Sequence, residues 1–328
     1  MVLHYSYAAR LNSFRSGNWG GKKPSTVDLI SRAAQVEGLN AVDLNYPDHL
    51  QALKQTDIKN CLADNGIKLN GFAMRYYTEP DFKLGAFTHP DKAVRQAAID
   101  LTKRGIDELR ALGGDLMTLW MGNDGFDYSF QADYAVQWGN TIGAVTQVAD
   151  HDRSVNISIE YKPNEPRSFA LMPNAATTLL AIKEINRPNL GVTLDFAHVL
   201  YADEMPAYAA TLIARHSQLL GVHLNDGYGK RDDGLMAATV HPLQTLELLV
   251  TLKKIGYQGA IYFDTFPDIT NLNPVAECAA NISAVESLAR IADELNANAN
   301  LADATARQDA VTAQTIVNTA VYGVRSGN

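Results

Sequence analysis

Residues 155–196 contain two apolar runs, VNISIEY (155–161) and LGVTLDF (190–196), on either side of a segment with helical spacing of apolar residues at 174–186. Continuous apolar runs of this length are typical of strands that are covered on both faces of a parallel sheet. Consecutive parallel strands need a crossover connection, which is usually a helix. The stretch therefore predicts one β–α–β unit.

The same alternation of strand and helix extends in both directions. The predicted strands are VLHYSY (2–7), AVDLNY (41–46), IKLNGFAM (67–74), LMTLWM (116–121), VNISIEY (155–161), LGVTLDF (190–196), LGVHLN (220–225) and GAIYFDT (259–265). Eight such units predict an α/β fold, a single (β/α)₈ TIM barrel over residues 1–297. An open doubly wound sheet is the alternative, although no G-x-G-x-x-G follows the first strand. Residues 298–328 are predicted to form a C-terminal helical or flexible extension.

Composition narrows the class of protein. The 328 residues include 28 Lys and Arg against 36 Asp and Glu, a net charge of −8. This balance does not favour a nucleic-acid partner, because binding to nucleic acids relies on Lys and Arg. No stretch approaches the roughly 20 apolar residues of a membrane span, and the amino terminus has no leader pattern. With only Cys61 and Cys278, we expect a cytoplasmic protein without a membrane partner.

Polar residues stand at the carboxyl ends of the last four predicted strands: Glu160, Asp195, His223 and Asp264. In a barrel these ends lie on one face, where catalytic residues are found. Three carboxylates brought so close would repel and raise one another's pKa, unless a cation lies between them. Oxygen ligands with one imidazole favour Mn²⁺ or Mg²⁺, with Co²⁺ as a further candidate. The four residues therefore predict a divalent metal site.

Further polar residues follow the same strand ends. Lys162 is two residues beyond Glu160, so both side chains are expected on the same side of the strand. His198 lies three residues after the strand-end aspartate, and the loop HLNDGYGKRDD (223–233) ends in Asp232 and Asp233. His198 with either aspartate predicts a second cation, which gives one or two per subunit. Two cations would face vicinal hydroxyl and carbonyl oxygens of a substrate.

Aromatic residues near strand ends suggest a sugar-binding wall, since rings can cover the C–H faces of a sugar. Trp120, at the end of the fourth predicted strand, is the first candidate for substrate binding. His89, before the third predicted helix, is a second candidate that would assist ring opening. Capping and core roles are the alternatives for residues of these types.

The segment EYKPNEPR (160–167) resembles the E-P-K-P-N-E-P signature of xylose isomerase, with Tyr161 in place of the first proline. LDFAHV (194–199) and HLNDGYGKRDD are similar to the D-x-x-H and H-x-N-D motifs of bacterial L-rhamnose isomerases. The resemblance covers about residues 155–265 and places the chain in the xylose isomerase-like TIM-barrel superfamily. The chain is shorter than those isomerases, and compact members of the superfamily include D-apiose isomerases and ketose 3-epimerases.

The resemblance implies roles for these residues. The four strand-end residues match the ligands of a structural metal, and Lys162 matches a lysine that contacts the substrate. His198 and the pair of loop aspartates match the ligands of a catalytic metal. Lys162, His198 and Glu160 are thereby implied as catalytic residues. Because relatives are often oligomers, a homo-oligomer (dimer or tetramer) is also expected.

The favoured function is a divalent-metal-dependent aldose–ketose isomerase. It would act on a free sugar (L-rhamnose-, xylose- or apiose-like) by a metal-assisted 1,2-hydride shift. The alternative is a ketose 3-epimerase with Glu160 as acid and base; epimerases of this kind use two glutamates, whereas the eighth strand offers the shorter Asp264. A remote alternative is a DNA-repair enzyme of the endonuclease IV type, which would need more histidines and a basic rim.

Overall fold

The computed structural model describes residues 3–51 and 53–323. Eight parallel strands close into a barrel, so the predicted α/β TIM-barrel fold is confirmed. The strands are β1 (Tyr7–Arg10), β2 (Ala41–Tyr46), β3 (Lys68–Met74), β4 (Leu116–Leu119), β5 (Asn156–Glu160), β6 (Leu190–Asp195), β7 (Leu219–Leu224) and β8 (Ile261–Phe263). Each strand pairs with its neighbours in chain order, and β8 pairs with β1.

Helices fill the connections between these strands. They are α1 (Thr26–Ala33), α2 (Gln55–Asp64), α3 (Lys92–Ala111), α4 (Tyr134–Ala149), α5 (Ala175–Ile185), α6 (Phe196–Tyr201), α7 (Pro206–His216), α8 (Pro242–Lys254), α9 (Pro267–Thr270), α10 (Pro274–Ala297), α11 (Ala299–Ala306) and α12 (Ala310–Tyr322). Short 3₁₀ helices lie at Leu11–Arg15, Tyr76–Thr78 and Pro80–Phe82. Two short strands, Gly125–Phe126 and Phe169–Ala170, form an antiparallel ribbon above the barrel.

Side chains along each strand point alternately to the core outside the barrel and to the barrel interior, where the site lies. In β6, Val192 and Leu194 are fully buried members of the main hydrophobic core. The alternate residues Thr193 and Asp195 face the other side, into the barrel. There Thr193 Oγ1 lies 2.6 Å from Ser158 Oγ on β5. Ser158 and Thr193 each lie two residues before a strand-end acid, so this hydroxyl pair forms the layer directly below Glu160 and Asp195.

The first strand differs from its prediction. It spans Tyr7–Arg10 rather than residues 2–7, and residue 2 lies outside the described residues. Ile261, the first residue of β8, is the register partner of Tyr7. The described residues before Tyr7 therefore have no register partner on β8. Arg10, rather than a tyrosine, therefore stands at the carboxyl end of β1.

The segment predicted as a helical or flexible extension, 298–328, contains α11 and α12. Ala304 is fully buried, and Leu301, Ile316 and Val317 pack against the main core. Residues 324–328 of that prediction lie outside the described residues. Among the residues that the structure describes, no helix has both the length and the apolar character that crossing a bilayer requires.

Candidate active site

Four polar side chains meet at the carboxyl ends of β5 to β8. Glu160 ends β5, Asp195 ends β6, His223 is the penultimate residue of β7, and Asp264 directly follows β8. Each offers one ligand atom, and these four atoms all lie within 4.8 Å of one another. Asp195 and His223 are register partners on neighbouring strands. The barrel thus brings together the four residues that the sequence indicated as a metal site.

The surroundings of this four-residue cluster make its negative charges costly. Burial raises the pKa of Asp195 to about 7, although His198 opposes this. Burial also raises the pKa of Asp264, against the opposing effect of Arg10. For His223 burial disfavours the charged imidazole, but the attraction of nearby acids raises its pKa to about 9. The first of those acids is Glu160, whose Oε1 lies 3.3 Å from His223 Nδ1. Acids in such a setting need a positive partner to remain charged.

The donor set of the cluster fits a divalent cation. Three carboxylates and one imidazole supply the oxygen and nitrogen ligands that such cations take in proteins. Asp264 Oδ1 is buried and has no hydrogen-bond partner among the described residues, so its lone pairs are available to a ligand. A buried polar atom without a partner is uncommon and calls for a reason. A coordinated cation would supply that reason here.

A second group of side chains adjoins the cluster and links three elements. Lys162 Nζ, two residues after β5, lies 3.1 Å from Asp232 Oδ2 in the loop after β7. The same Oδ2 lies 3.2 Å from His198 Nε2 on α6. Burial raises the pKa of Asp232, but hydrogen bonds and charge from His198 and Lys162 outweigh it and hold that pKa well below its usual range. Lys162, Asp232 and His198 therefore form a chain of polar contacts, called here the Lys162–Asp232–His198 chain, next to the three carboxylates and one imidazole of the cluster.

The orientation of His198 follows from the start of α6. Asp195 Oδ1 accepts the backbone N–H of His198 at 3.0 Å, which caps the helix. His198 Nδ1 lies 3.0 Å from the carbonyl oxygen of Tyr161. Because a carbonyl only accepts, Nδ1 carries the proton and donates it. The other nitrogen, Nε2, faces Asp232 and donates to it when the imidazole is charged. Without that second proton, a ring fixed in this way is suited to ligation through Nε2.

The two aspartates of the acidic loop have different surroundings. Asp233 Oδ1 accepts from Arg231 Nε at 2.7 Å, and its Oδ2 accepts from the backbone N–H of Tyr228 at 2.9 Å. The contacts of Asp233 therefore stabilise the loop to which it belongs, whereas Asp232 contacts Lys162 outside that loop. Of the two candidates from the sequence, the structure brings Asp232 to the other site residues and leaves Asp233 outside.

A cavity of about 300 Å³ opens over the cluster. Trp120, directly after β4, lines it, and Lys162 Nζ lies 5.2 Å from the centre of its ring. Tyr77 packs edge-on against Trp120, with 5.0 Å between ring centres. An indole fixed in this way offers a flat apolar wall beside the charged groups, which suits a ligand with both C–H faces and hydroxyls.

His89, the other candidate for substrate binding, is not among the residues that line this cavity. Its Nδ1 accepts the backbone N–H of Asp91 at 3.0 Å, and its carbonyl accepts from Arg95 Nη1 at 2.6 Å. These bonds hold His89 in the turn that begins α3. The geometry gives it a structural place at a helix start instead of a place against the substrate.

A family model described as "Xylose isomerase-like TIM barrel" matches residues 30–293, most of the chain. The chain belongs to the xylose isomerase-like TIM-barrel family. One curated relative is the xylose isomerase of Thermus thermophilus, which is 28% identical over 212 residues. That alignment covers 63% of this chain and 55% of the relative, so this family member matches about half the length of that enzyme.

Several solved structures share the fold of this xylose isomerase-like barrel. A D-tagatose 3-epimerase-like protein superposes with a TM-score of 0.69 at 16% identity, covering 88% of this chain and 98% of that one. D-allulose 3-epimerase from Methylomonas sp. gives 0.67 at 18% identity, covering 88% and 100%. An L-ribulose 3-epimerase gives 0.64 at 16% identity and covers 99% of both chains. At these identities the likeness concerns the fold.

This xylose isomerase-like barrel also presents two arginines that were not predicted as site residues. Arg10 ends β1; its Nη1 lies 2.7 Å from Asp268 Oδ1, and its Nε lies 3.7 Å from Asp264 Oδ1. Arg75 directly follows β3 and lines the same cavity. Both occupy the strand-end position that singled out Glu160. The same rule would have found Arg75, which follows the predicted third strand, but not Arg10, because the first strand was predicted to end at residue 7.

Proposed function

We propose that this xylose isomerase-like protein is a divalent-metal-dependent aldose–ketose isomerase that acts on a free sugar by a 1,2-hydride shift. The motifs favour an L-rhamnose-, xylose- or apiose-like sugar. The observation that supports the proposal is the Lys162–Asp232–His198 chain beside the four-residue cluster. A homo-oligomer, with neither nucleic acid nor a membrane as partner, is part of the same proposal.

Two sets of residues are suited to hold cations. The four-residue cluster would hold one, and His198 and Asp232 are placed for a second, because Asp232 Oδ2 lies 3.2 Å from His198 Nε2, the ring nitrogen turned away from the Tyr161 carbonyl. When bound, Mn²⁺ or Mg²⁺, with Co²⁺ as a further candidate, would polarise the carbonyl and hydroxyl oxygens of the sugar.

The remaining chemistry comes from the chain itself. Burial lowers the pKa of Lys162, but Asp232 and Glu165 outweigh it and raise that pKa above its ordinary value. Lys162 therefore stays protonated and can donate hydrogen bonds to an oxygen on which negative charge develops. Trp120 covers one face of the sugar and keeps water from it. A dry, preorganised site of this kind suits hydride transfer between adjacent carbons, since no proton needs to leave the substrate carbon.

The second candidate function is a ketose 3-epimerase. It is supported by the solved structures of similar fold that are named as ketose 3-epimerases, and by the position of Glu160 and Asp264, which both line the cavity. A proton shuttle needs a carboxylate that reaches the carbon from each side. Asp264 is the shorter residue and lies near Arg10, which suits a fixed ligand better than a base.

One experiment separates the two reactions. Mn²⁺-supplemented enzyme is incubated in D₂O with L-rhamnose, D-xylose and D-apiose, and with the corresponding ketoses, and the products are analysed by NMR. A hydride shift predicts a ketose whose reacting carbons carry little solvent deuterium. An epimeric ketose with deuterium at C3 would favour the epimerase. Predominant solvent deuterium at the isomerised carbon would contradict the hydride shift.

A further inference from the structure

One cation of the cavity, Arg75, forms no ion pair with any acidic residue in the described part of the chain. Arg75 lines the cavity with its guanidinium over the ring of Tyr77, 4.3 Å from the ring centre. Its Nε is buried and has no hydrogen-bond partner, and within residues 3–51 and 53–323 no carboxylate lies within ion-pair distance of the side chain. Guanidinium groups in such surroundings are normally paired. Its partner is therefore expected to come from outside the protein.

The other cations of the cavity are already engaged. Arg10 pairs with Asp268 at 2.7 Å, and Lys162 pairs with Asp232 at 3.1 Å and with Glu165 at 3.0 Å. Burial, together with the charge of Arg10, lowers the pKa of Arg75 to about 10, although the more distant acids Asp264 and Asp48 oppose this. Arg75 thus remains charged at neutral pH but in surroundings that oppose its charge. An anion beside it would relieve that opposition.

The position of Arg75 points to one end of a ligand. Arg75 follows β3, and in the closed order of eight strands β3 lies four strands from β7, which carries His223. The backbone positions of Arg75 and His223 are therefore on opposite sides of the barrel mouth, and both residues line the same cavity. Asn45 on β2, whose register partner on β3 is Ala73, also lines the cavity, and its side-chain nitrogen has no hydrogen-bond partner among the described residues. Polar groups without protein partners thus collect on the wall opposite the cluster.

We propose that Arg75 binds a carboxylate at the end of the substrate away from the reacting carbons, so that the substrate is a sugar acid. The inference rests on the proposed function in one respect: it takes the reacting carbons to lie against the four-residue cluster. It narrows the free sugars to those with a terminal carboxylate, such as uronic acids. A single unpaired guanidinium offers two parallel N–H groups that match a carboxylate. A phosphate dianion would need more positive charge than this wall provides.

Binding of unreactive ligands tests the proposal independently of turnover. The ligands are D-glucitol, D-gluconate and D-glucitol 6-phosphate, measured by calorimetry with the Mn²⁺-supplemented protein. We expect gluconate to bind at least about tenfold more tightly than glucitol, since a charge-assisted pair replaces a neutral contact. Glucitol 6-phosphate should bind no more tightly than gluconate. In Arg75→Gln the preference for gluconate should disappear, and in Arg75→Lys part of it should remain.

Two controls accompany the Arg75 variants. Unchanged glucitol binding in Arg75→Gln would show that the cavity is intact, and Arg290→Gln, which removes an exposed arginine on α10, should keep the preference. A gluconate preference that survives Arg75→Gln would place the carboxylate at the cluster and overturn the proposal. So would equal binding of glucitol and gluconate, or an Arg75-dependent preference for the phosphate. Because none of these ligands is isomerised, failure here and failure of the hydride-shift assay are separate results.

Discussion

At the scale of single residues, Asp232 and Asp233 are adjacent in sequence but have different contacts. Only Asp232 lies between Lys162 and His198. We expect Asp232→Asn to lower kcat/KM by on the order of 10²-fold, since it removes the charge that orients both neighbours. Asp233→Asn should change kcat/KM by no more than a few-fold, because an amide oxygen can still accept from the backbone of Tyr228. Steady-state kinetics on the same sugar measure both variants. Equal losses in the two would contradict the assignment.

Single residues also differ in how far their place in the site could be predicted from the sequence. Glu160, Asp195 and His223 were found because strand ends of a parallel barrel lie on one face, a consequence of regular geometry. The choice between the loop aspartates could not be made in advance, because the course of an irregular loop follows from contacts such as Arg231 with Asp233. Arg10 was missed for a different reason: the first strand was placed too early, which moved its end away from the site.

At the scale of elements, His49 joins β2 to the 3₁₀ helix Leu11–Arg15. Its Nδ1 accepts the backbone N–H of Asn45 at 2.9 Å, and its Nε2 lies 2.7 Å from Asn12 Oδ1. His49 is therefore neutral, with its proton on Nε2. Burial, with nearby arginines, lowers its pKa to about 3. A lowered pKa in the folded state means that this contribution to stability is complete above the unfolded pKa of roughly 6.5 and is lost as the pH falls towards 3.

The prediction for this junction compares wild type with His49→Gln. The difference in their free energies of unfolding should shrink on acidification from pH 7.5 to pH 5, by up to about 1.4 kcal/mol per pH unit below the unfolded pKa. Urea denaturation at several pH values gives this difference directly. His216→Gln, at the exposed end of α7, is the control for loss of an imidazole. A difference between wild type and His49→Gln that does not vary with pH would contradict a buried neutral His49.

The elements that could not be predicted from the sequence are strands too short to show an alternation of apolar and polar residues. The ribbon of Gly125–Phe126 and Phe169–Ala170 has two residues in each strand, too few for alternation to be recognised. It is held by long-range contacts: Arg167 Nη1 lies 2.6 Å from Asp127 Oδ2. The two basic residues after β5 therefore have different roles. Lys162 lines the cavity, whereas Arg167 pairs with Asp127 and stabilises the ribbon.

At the scale of the whole molecule, the four-residue cluster exists only when the barrel is closed. Its members are spread over residues 160–264, on or next to four different strands. A cation that binds the folded chain and not the unfolded one stabilises it by about 2.7 kcal/mol at a hundredfold excess over Kd. We therefore expect Mn²⁺ to raise the Tm of chelator-treated protein in a concentration-dependent way. In Asp195→Asn, which replaces a charged ligand by a neutral one, most of this rise should be lost.

The exposed Asp57→Asn on α2 provides the matched control, because it removes the same charge far from the cluster. Its Mn²⁺-dependent rise in Tm should equal that of the wild type, since general screening of the net charge of −8 acts on both proteins alike. Thermal unfolding followed by circular dichroism, with Mn²⁺ titrated into each variant, measures the three curves. Identical rises in wild type and Asp195→Asn would mean that the cation acts elsewhere, and the metal site at the barrel mouth would have to be abandoned. A rise confined to the proteins with an intact cluster would show that one ion links four strands, and therefore that closing the barrel and assembling the site are one event.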